Sequence, residues 1–501
     1  MDADRRSGVP DPDRLGTEGR APEPQRPVPR DRRAPDEAGT ADRPLRVAIV
    51  GAGPAGFYTL QALVRPGLPA VQVDMFDALP TPFGLVRQGV APDHPKIKSV
   101  AAVYHRLAQH AGFRFYGNVE FGRDLERSDL ESCYDQIVFC TGAQADRRLD
   151  VPGEDLPGSY SATEFVAWYN GHPDYSRHRF DLSRSRAVII GAGNVAVDVA
   201  RILCRTADEL AATDIADHAL VALRQSAVRA VQLVGRRGPL QAAFTSPEVA
   251  ELGELADTAT TTLPEEVALD AASRRALEAE ADKEARRKLE ILTSYARPAP
   301  EGKSRRLAIR FLLSPVEILG DEAHGVNAVR FVRNELYEAS DGGLRSRPTA
   351  RDETIEAGLV FRAIGYRGIP LPGLPFDDGD GRIPNRDGRV VDPATGAPIP
   401  GLYVSGWIKR GPTGVIGTNK LDAAETVGSM LEDLAAGRRL QPTATTRDVI
   451  GERLEARGVR FVTYRDWMEL DAREIARGAA SGRPRVKFVD RRDLLATTRR
   501  R

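Results

Sequence analysis

The chain has 501 residues, 41% apolar and 6% aromatic, which is enough for two or three packed domains. Its 71 basic and 71 acidic residues cancel, arguing against a bulk nucleic-acid binder, and no run of 18 apolar residues marks a membrane span. Three cysteines, Cys133, Cys140 and Cys204, match no zinc or iron–sulfur spacing and include no CxxC, so no metal site is expected.

Residues 1–44 hold eight prolines, nine arginines and ten acidic residues with almost no apolar payload. Such a segment cannot offset its ordering entropy by burial and is expected to be disordered. It lacks a secretory apolar core, and its acidic residues argue against a mitochondrial presequence, so a cytoplasmic setting is expected. Structure is expected from Arg46. The run RVAIV (46–50) reads as a buried parallel strand, and GAGPAG follows it directly. An alanine-rich helix to Val64 and a strand over 71–76 come next, and that strand ends at Asp77. Gly51 suits the tight turn, Gly53 the close approach of a pyrophosphate, and Gly56 the packing of helix on strand. The diphosphate would lie at the helix start, on Pro54 and Ala55, with Asp77 accepting from the adenosine ribose.

A second unit repeats the pattern. RAVII (186–190) leads into GAGNVA, with Gly191, Gly193, Asn194, Val195 and Ala196 at the turn and helix start. The following strand, expected at 229–234 after an insertion over roughly 205–228, ends in Arg236 and Arg237 instead of a carboxylate. Two guanidiniums match a 2′-phosphate in charge and in bidentate geometry, so the second nucleotide is expected to be NADP(H) and the first FAD. Strands running into glycine at 137–143 and 358–365 read as crossovers between the two units, and 400–406 as a strand feeding a helix over about 419–435. The expected architecture is α/β, with two Rossmann-like dinucleotide-binding domains. The FAD domain is discontinuous (45–150 and 360–440), the NADP domain (151–359) is inserted in it, and an extension over 441–501 packs on the FAD domain. The charged, breaker-free stretch 272–295 reads as one solvent-facing helix. Its Arg274, Arg275, Lys283, Arg286, Arg287 and Lys288 are candidates for docking an acidic partner.

PTPFGLVRQGVAPDHPKIK (80–98), VGRRGPLQAAFT (234–245), AIGYRG (363–368) and SGWIKRGPTGVIGTNKLDA (405–423) are far more specific than a glycine fingerprint. With the two glycine turns they make the sequence resemble the adrenodoxin reductase family of ferredoxin–NADP+ reductases, in its actinobacterial form. The resemblance implies a glutathione-reductase-like flavoprotein that binds FAD and NADPH and passes electrons singly to a ferredoxin-type iron–sulfur protein. It implies that Gly84 and Leu85 and the loop from Trp407 to Gly414, Val415 and Ile416 hold the flavin. It also brings His94 near the ring system and Glu248 to the nicotinamide side. The missing CxxC excludes a thioredoxin-reductase dithiol relay. A quinone or dye reductase, a flavin monooxygenase and a non-enzymatic NADPH sensor would carry the same nucleotide folds, and the residues alone leave these open.

Overall fold

The computed structural model describes residues 38–280, 282–298 and 301–496. Disorder expected over residues 1–37 lies outside them. Residues 38–44 depart from that expectation. Ala38 is buried in the core, Ala70 N donates to Gly39 O at 2.9 Å, and Arg43 pairs with the buried Asp135 at 3.0 Å. Composition averaged over the whole segment hid these few anchoring groups.

Two sheets organise the molecule. The first has seven strands, in the order Asn385–Arg386, Arg389–Val391, Pro398–Val404, Gln136–Phe139, Leu45–Val50, Val71–Asp77 and Phe113–Gly117. The last five in that order are parallel. The second sheet is parallel throughout, in the order Ser159–Ser161, Leu359–Arg362, Arg186–Ile190, Ala230–Val234, Arg305–Arg310 and Thr258–Thr262. The apolar runs at 46–50 and 186–190 lie near the middle of their sheets because both faces are covered. Val47 and Ile49 enter one core while Ala48 and Val50 enter another; Ala187 and Ile189 divide from Val188 and Ile190 in the same way. Two Rossmann-like units follow, the first of them discontinuous in sequence. Where the chain passes between them, Ala145–Asp146 pairs antiparallel with Tyr366–Arg367. A three-stranded antiparallel sheet, Leu313–Asp321, Gly325–Glu338 and Leu344–Glu356, is added to the second unit.

The single helix expected over 272–295 is two helices, Ala271–Glu280 and Lys283–Ser294. The Asp282 carboxylate accepts from Glu284 N at 2.9 Å and Ala285 N at 3.1 Å, which starts the second helix afresh. Nor does that helix face solvent all round. Ile291 and Leu292 are buried, and Lys288 is buried with its Nζ donating to Ala242 O at 2.6 Å.

The described part of the C-terminal extension, residues 441–496, is tied down at several points. Trp467 is buried, edge-on to Phe83 at 5.8 Å, with the Arg87 guanidinium 5.0 Å above its ring. Arg87 forms a buried bidentate pair with Glu474 at 2.6 and 2.8 Å. Further on, Lys487 donates to Asn170 O at 3.0 Å and pairs with Asp214 at 3.2 Å, so the extension also grips segments flanking the second sheet. Among the described residues no helix is long and apolar enough to cross a membrane.

Candidate nucleotide and redox site

The strand Leu45–Val50 ends in a turn that leaves no room for side chains. A Cβ on Gly51, at φ +111°, would lie 2.4 Å from Cys140 O, and one on Gly56 would lie 2.1 Å from Gly51 O. In front of Gly53 the nearest protein atom to such a Cβ is Gly84 Cα at 4.0 Å. That gap opens at the start of the helix Pro54–Leu63, whose first-turn N–H groups have no intrahelical acceptor. A diphosphate fits a cradle of this kind. Two other segments close on it. Phe83 N donates to Ala52 O at 2.8 Å, bringing Gly84 and Leu85 alongside, and the Gly406 backbone packs against Ala55. The loop after Gly406 is braced by Trp407 Nε1 donating to Thr413 O at 3.1 Å and by Val415 N donating to Thr418 Oγ1 at 3.1 Å. Val415 is exposed, while Ile416 packs against the core. The structure thus brings Gly51, Gly53, Pro54, Ala55, Gly56, Gly84, Leu85 and the 407–416 loop together.

Asp77 stands at the strand tip, as its spacing implies, but its oxygens already accept from Ala52 N at 2.7 Å and Leu79 N at 2.8 Å. Each oxygen keeps a second lone pair for a ribose hydroxyl. Burial pushes its pKa up to about 6, against the pull of those two N–H groups and of Arg491.

The second turn repeats the geometry. A Cβ on Gly191 would lie 2.2 Å from Ala363 O, and nothing lies within 4 Å of one on Gly193. Asn194 Oδ1 accepts from Thr245 N at 2.9 Å, and Ala243 N donates to Ala192 O at 2.7 Å, folding the 243–245 loop over the turn. Val195 packs at the core edge and Ala196 is buried. Beyond Ala230–Val234, Arg236 and Arg237 are both exposed, and neither has an ion pair among the described residues. That contrasts with most buried or half-buried arginines here and leaves two cations available at the strand tip.

His94 and Glu248, 154 positions apart, come together. His94 is buried, with Nε2 2.7 Å from Glu251 Oε2 and 3.8 Å from Glu248 Oε2. Arg201, fully buried on the helix Asn194–Cys204, braces the group: it pairs with Asp93 and Asp198 at 2.6 Å each and lies 3.4 Å from Glu248. Burial and then Asp198 raise the Glu248 pKa, against His94 and Arg201. Burial also works to raise Asp93, but Arg201 and Arg205 hold it at about 2. Sequence reasoning missed Asp93, Asp198, Arg201 and Glu251. Two signals were available: Glu251 lies three residues after Glu248, on the same helical face, and Asp198 stands three before Arg201 inside the fingerprint helix.

Residues 45–236 match the pyridine nucleotide-disulphide oxidoreductase family. NADPH-ferredoxin reductase FprA of Mycobacterium tuberculosis is 45% identical over 461 residues, covering 90% of this chain and 99% of that relative. The chain belongs to the adrenodoxin reductase family of ferredoxin–NADP+ reductases. Another relative, the mitochondrial NADPH:adrenodoxin oxidoreductase of Arabidopsis thaliana, is 43% identical over 466 residues, covering 91% of this chain and 96% of its own length. A solved structure of Mycobacterium tuberculosis FprA in complex with NADPH matches with a TM-score of 0.85 at 45% identity, covering 91% of this chain and 99% of that one. Thiol chemistry has no foothold here. All three cysteines are free and buried, and burial pushes the Cys140 and Cys204 thiols up to about 12.

Proposed function

We propose that this protein is an FAD-dependent oxidoreductase that takes hydride from NADPH and passes single electrons to a ferredoxin-type iron–sulfur protein. One observation carries the reading: a single chain builds two glycine cradles whose following strands end in opposite charge, Asp77 at one and the exposed Arg236 and Arg237 at the other. A carboxylate suits ribose hydroxyls and an arginine doublet suits a 2′-phosphate, so the first cradle takes FAD and the second NADP(H). We assign 45–150 and 360–440 to an FAD-binding domain and 151–359 to an NADP-binding domain, with 441–501 as an extension.

When bound, the flavin and nicotinamide supply the hydride and one-electron chemistry. The chain's own part is placement. The turn at Gly51–Gly56, Gly84, Leu85 and the Trp407–Ile416 loop hold the first nucleotide. Gly191–Ala196, Arg236 and Arg237 hold the second. His94 Nε2 lies 2.7 Å from Glu251 Oε2 and 3.8 Å from Glu248 Oε2, so an imidazole and two carboxylates are grouped on the nicotinamide side, and burial and Asp198 raise the Glu248 pKa. Arg201 and Asp93 keep that group in place. The free thiols suit a reducing, cytoplasmic setting.

The test is a coupled assay. Purified, FAD-loaded protein with NADPH reduces cytochrome c rapidly only when a ferredoxin is added. A rate independent of ferredoxin would refute the reading.

A further inference from the structure

The arginine doublet rides on three consecutive carbonyls, each met by a donor. Gly235 O accepts from Leu313 N at 3.2 Å, Arg236 O from Asn334 Nδ2 at 2.7 Å, and Arg237 O from Leu312 N at 3.2 Å. The outer two donors are backbone; the middle one is a side chain from the strand Gly325–Glu338 of the added antiparallel sheet. Asn334 is 5% exposed and lies where the register of that strand with Leu344–Glu356 shifts, an irregularity of the kind that re-aims a side chain. Its amide nitrogen also donates to Ser314 Oγ at 2.8 Å, and its backbone N donates to Leu312 O at 2.7 Å. Leu312 sits at φ +60°, a left-handed conformation that leucine seldom adopts. Backbone held in an uncommon conformation, a bulged strand and a buried carboxamide therefore converge on the tripeptide that carries both guanidiniums, while the guanidinium side chains themselves are exposed.

We propose that Asn334 is a positioning residue for recognition of the 2′-phosphate: by holding the Arg236 carbonyl it fixes how the two guanidiniums are presented. The proposal rests on the NADP(H) reading of the second cradle. Two long cations on a loose loop would lose conformational freedom on closing around a phosphate, and fixing their backbone beforehand lowers that cost. A carboxamide suits the task because one planar nitrogen supplies both donors, to Arg236 O and to Ser314 Oγ. Leucine supplies neither, and serine is too short to span both.

The test uses the FAD-loaded protein and two adenosine probes, 2′,5′-ADP and 5′-AMP, titrated by calorimetry. Asn334→Leu and Asn334→Ser are the variants, with Ser314→Ala as a control that leaves the bond to Arg236 O in place. Both Asn334 variants are expected to bind 2′,5′-ADP about three- to tenfold more weakly, the loss of roughly one neutral hydrogen bond. Their affinity for 5′-AMP should stay as in the parent, and KM for NADPH should rise at unchanged kcat. Ser314→Ala should keep the parent's affinities. Equal losses for both probes, no loss for either, or loss of bound FAD in both variants would make Asn334 merely structural and overturn the proposal. A parent protein that binds the two probes equally would instead refute the phosphate-clamp reading beneath it, and the proposal with it.

Discussion

Replacing Arg236 and Arg237 together with alanine tests the nucleotide assignment with little structural side effect. Neither side chain forms an ion pair among the described residues, and the backbone carbonyls on which they ride keep their donors, so the fold and FAD content should survive. Charge-assisted bonds to a phosphate contribute about 1.5–3 kcal/mol each. Both guanidiniums are exposed, so solvent and salt screening reduce that sum to about 1.5 kcal/mol or somewhat more. Since about 1.4 kcal/mol is tenfold, KM for NADPH should rise at least about tenfold. NADH has no 2′-phosphate, and its KM should stay nearly unchanged. The assay is steady-state reduction of a dye acceptor with each nucleotide at two ionic strengths. The parent's KM for NADPH should rise with salt, and the variant's should respond much less. Equal losses with both nucleotides, or a parent that prefers NADH, would refute the reasoning.

Gly53→Val should yield protein without FAD, read from its absorbance, because a branched side chain would fill the space in front of the turn. His94→Gln should slow ferredoxin turnover and change its pH profile, since a carboxamide can keep a hydrogen bond to Glu251 but, unlike an imidazole, does not exchange a proton near neutral pH. Reversing Arg286 and Arg287 to glutamate should reduce ferredoxin-dependent cytochrome c reduction at low salt while sparing small dyes. Both are exposed on the helix Lys283–Ser294, which braces the Glu248 helix through Glu284 accepting from Ser246 N at 2.6 Å. Asp93, held at about 2 against an ordinary 3.8, contributes about 2 kcal/mol of stability. Because its folded pKa is depressed, that contribution is present above about pH 4 and lost as pH falls toward 2. Asp93→Asn should therefore lower stability at neutral pH and flatten that part of an acid-unfolding curve followed by circular dichroism.

Much of the fold was legible because it is written locally. Apolar runs ending in glycine at 46–51 and 186–191 announce parallel strands and tight glycine turns, and the strands appear at Leu45–Val50 and Arg186–Ile190 with Gly51 and Gly191 at positive φ. The place of the arginine doublet just beyond the strand Ala230–Val234 was legible in the same local way. What stayed hidden depends on partners distant in sequence. Arg201 meets Asp93 across 108 positions and His94 meets Glu251 across 157, and no periodicity encodes either meeting. The break between Glu280 and Lys283 was missed because the stretch contains no glycine or proline; the cap is Asp282, one acid among many. Lys288 looked like a surface charge, yet packing of its helix against the 239–241 turn buries it and leaves Ala242 O as its acceptor. It therefore drops out of the docking candidates.

The central claim is that electrons enter from NADPH and leave to an iron–sulfur protein. An anaerobic double-mixing experiment tests it most directly: the FAD-loaded protein is reduced with one equivalent of NADPH, then mixed separately with oxidised ferredoxin, a quinone or oxygen while flavin absorbance is followed. The account predicts rapid flavin bleaching by NADPH and rapid reoxidation by ferredoxin, with two ferredoxins reduced per flavin and much slower reoxidation by the other acceptors. Fast reoxidation by oxygen or quinone with none by ferredoxin would contradict it.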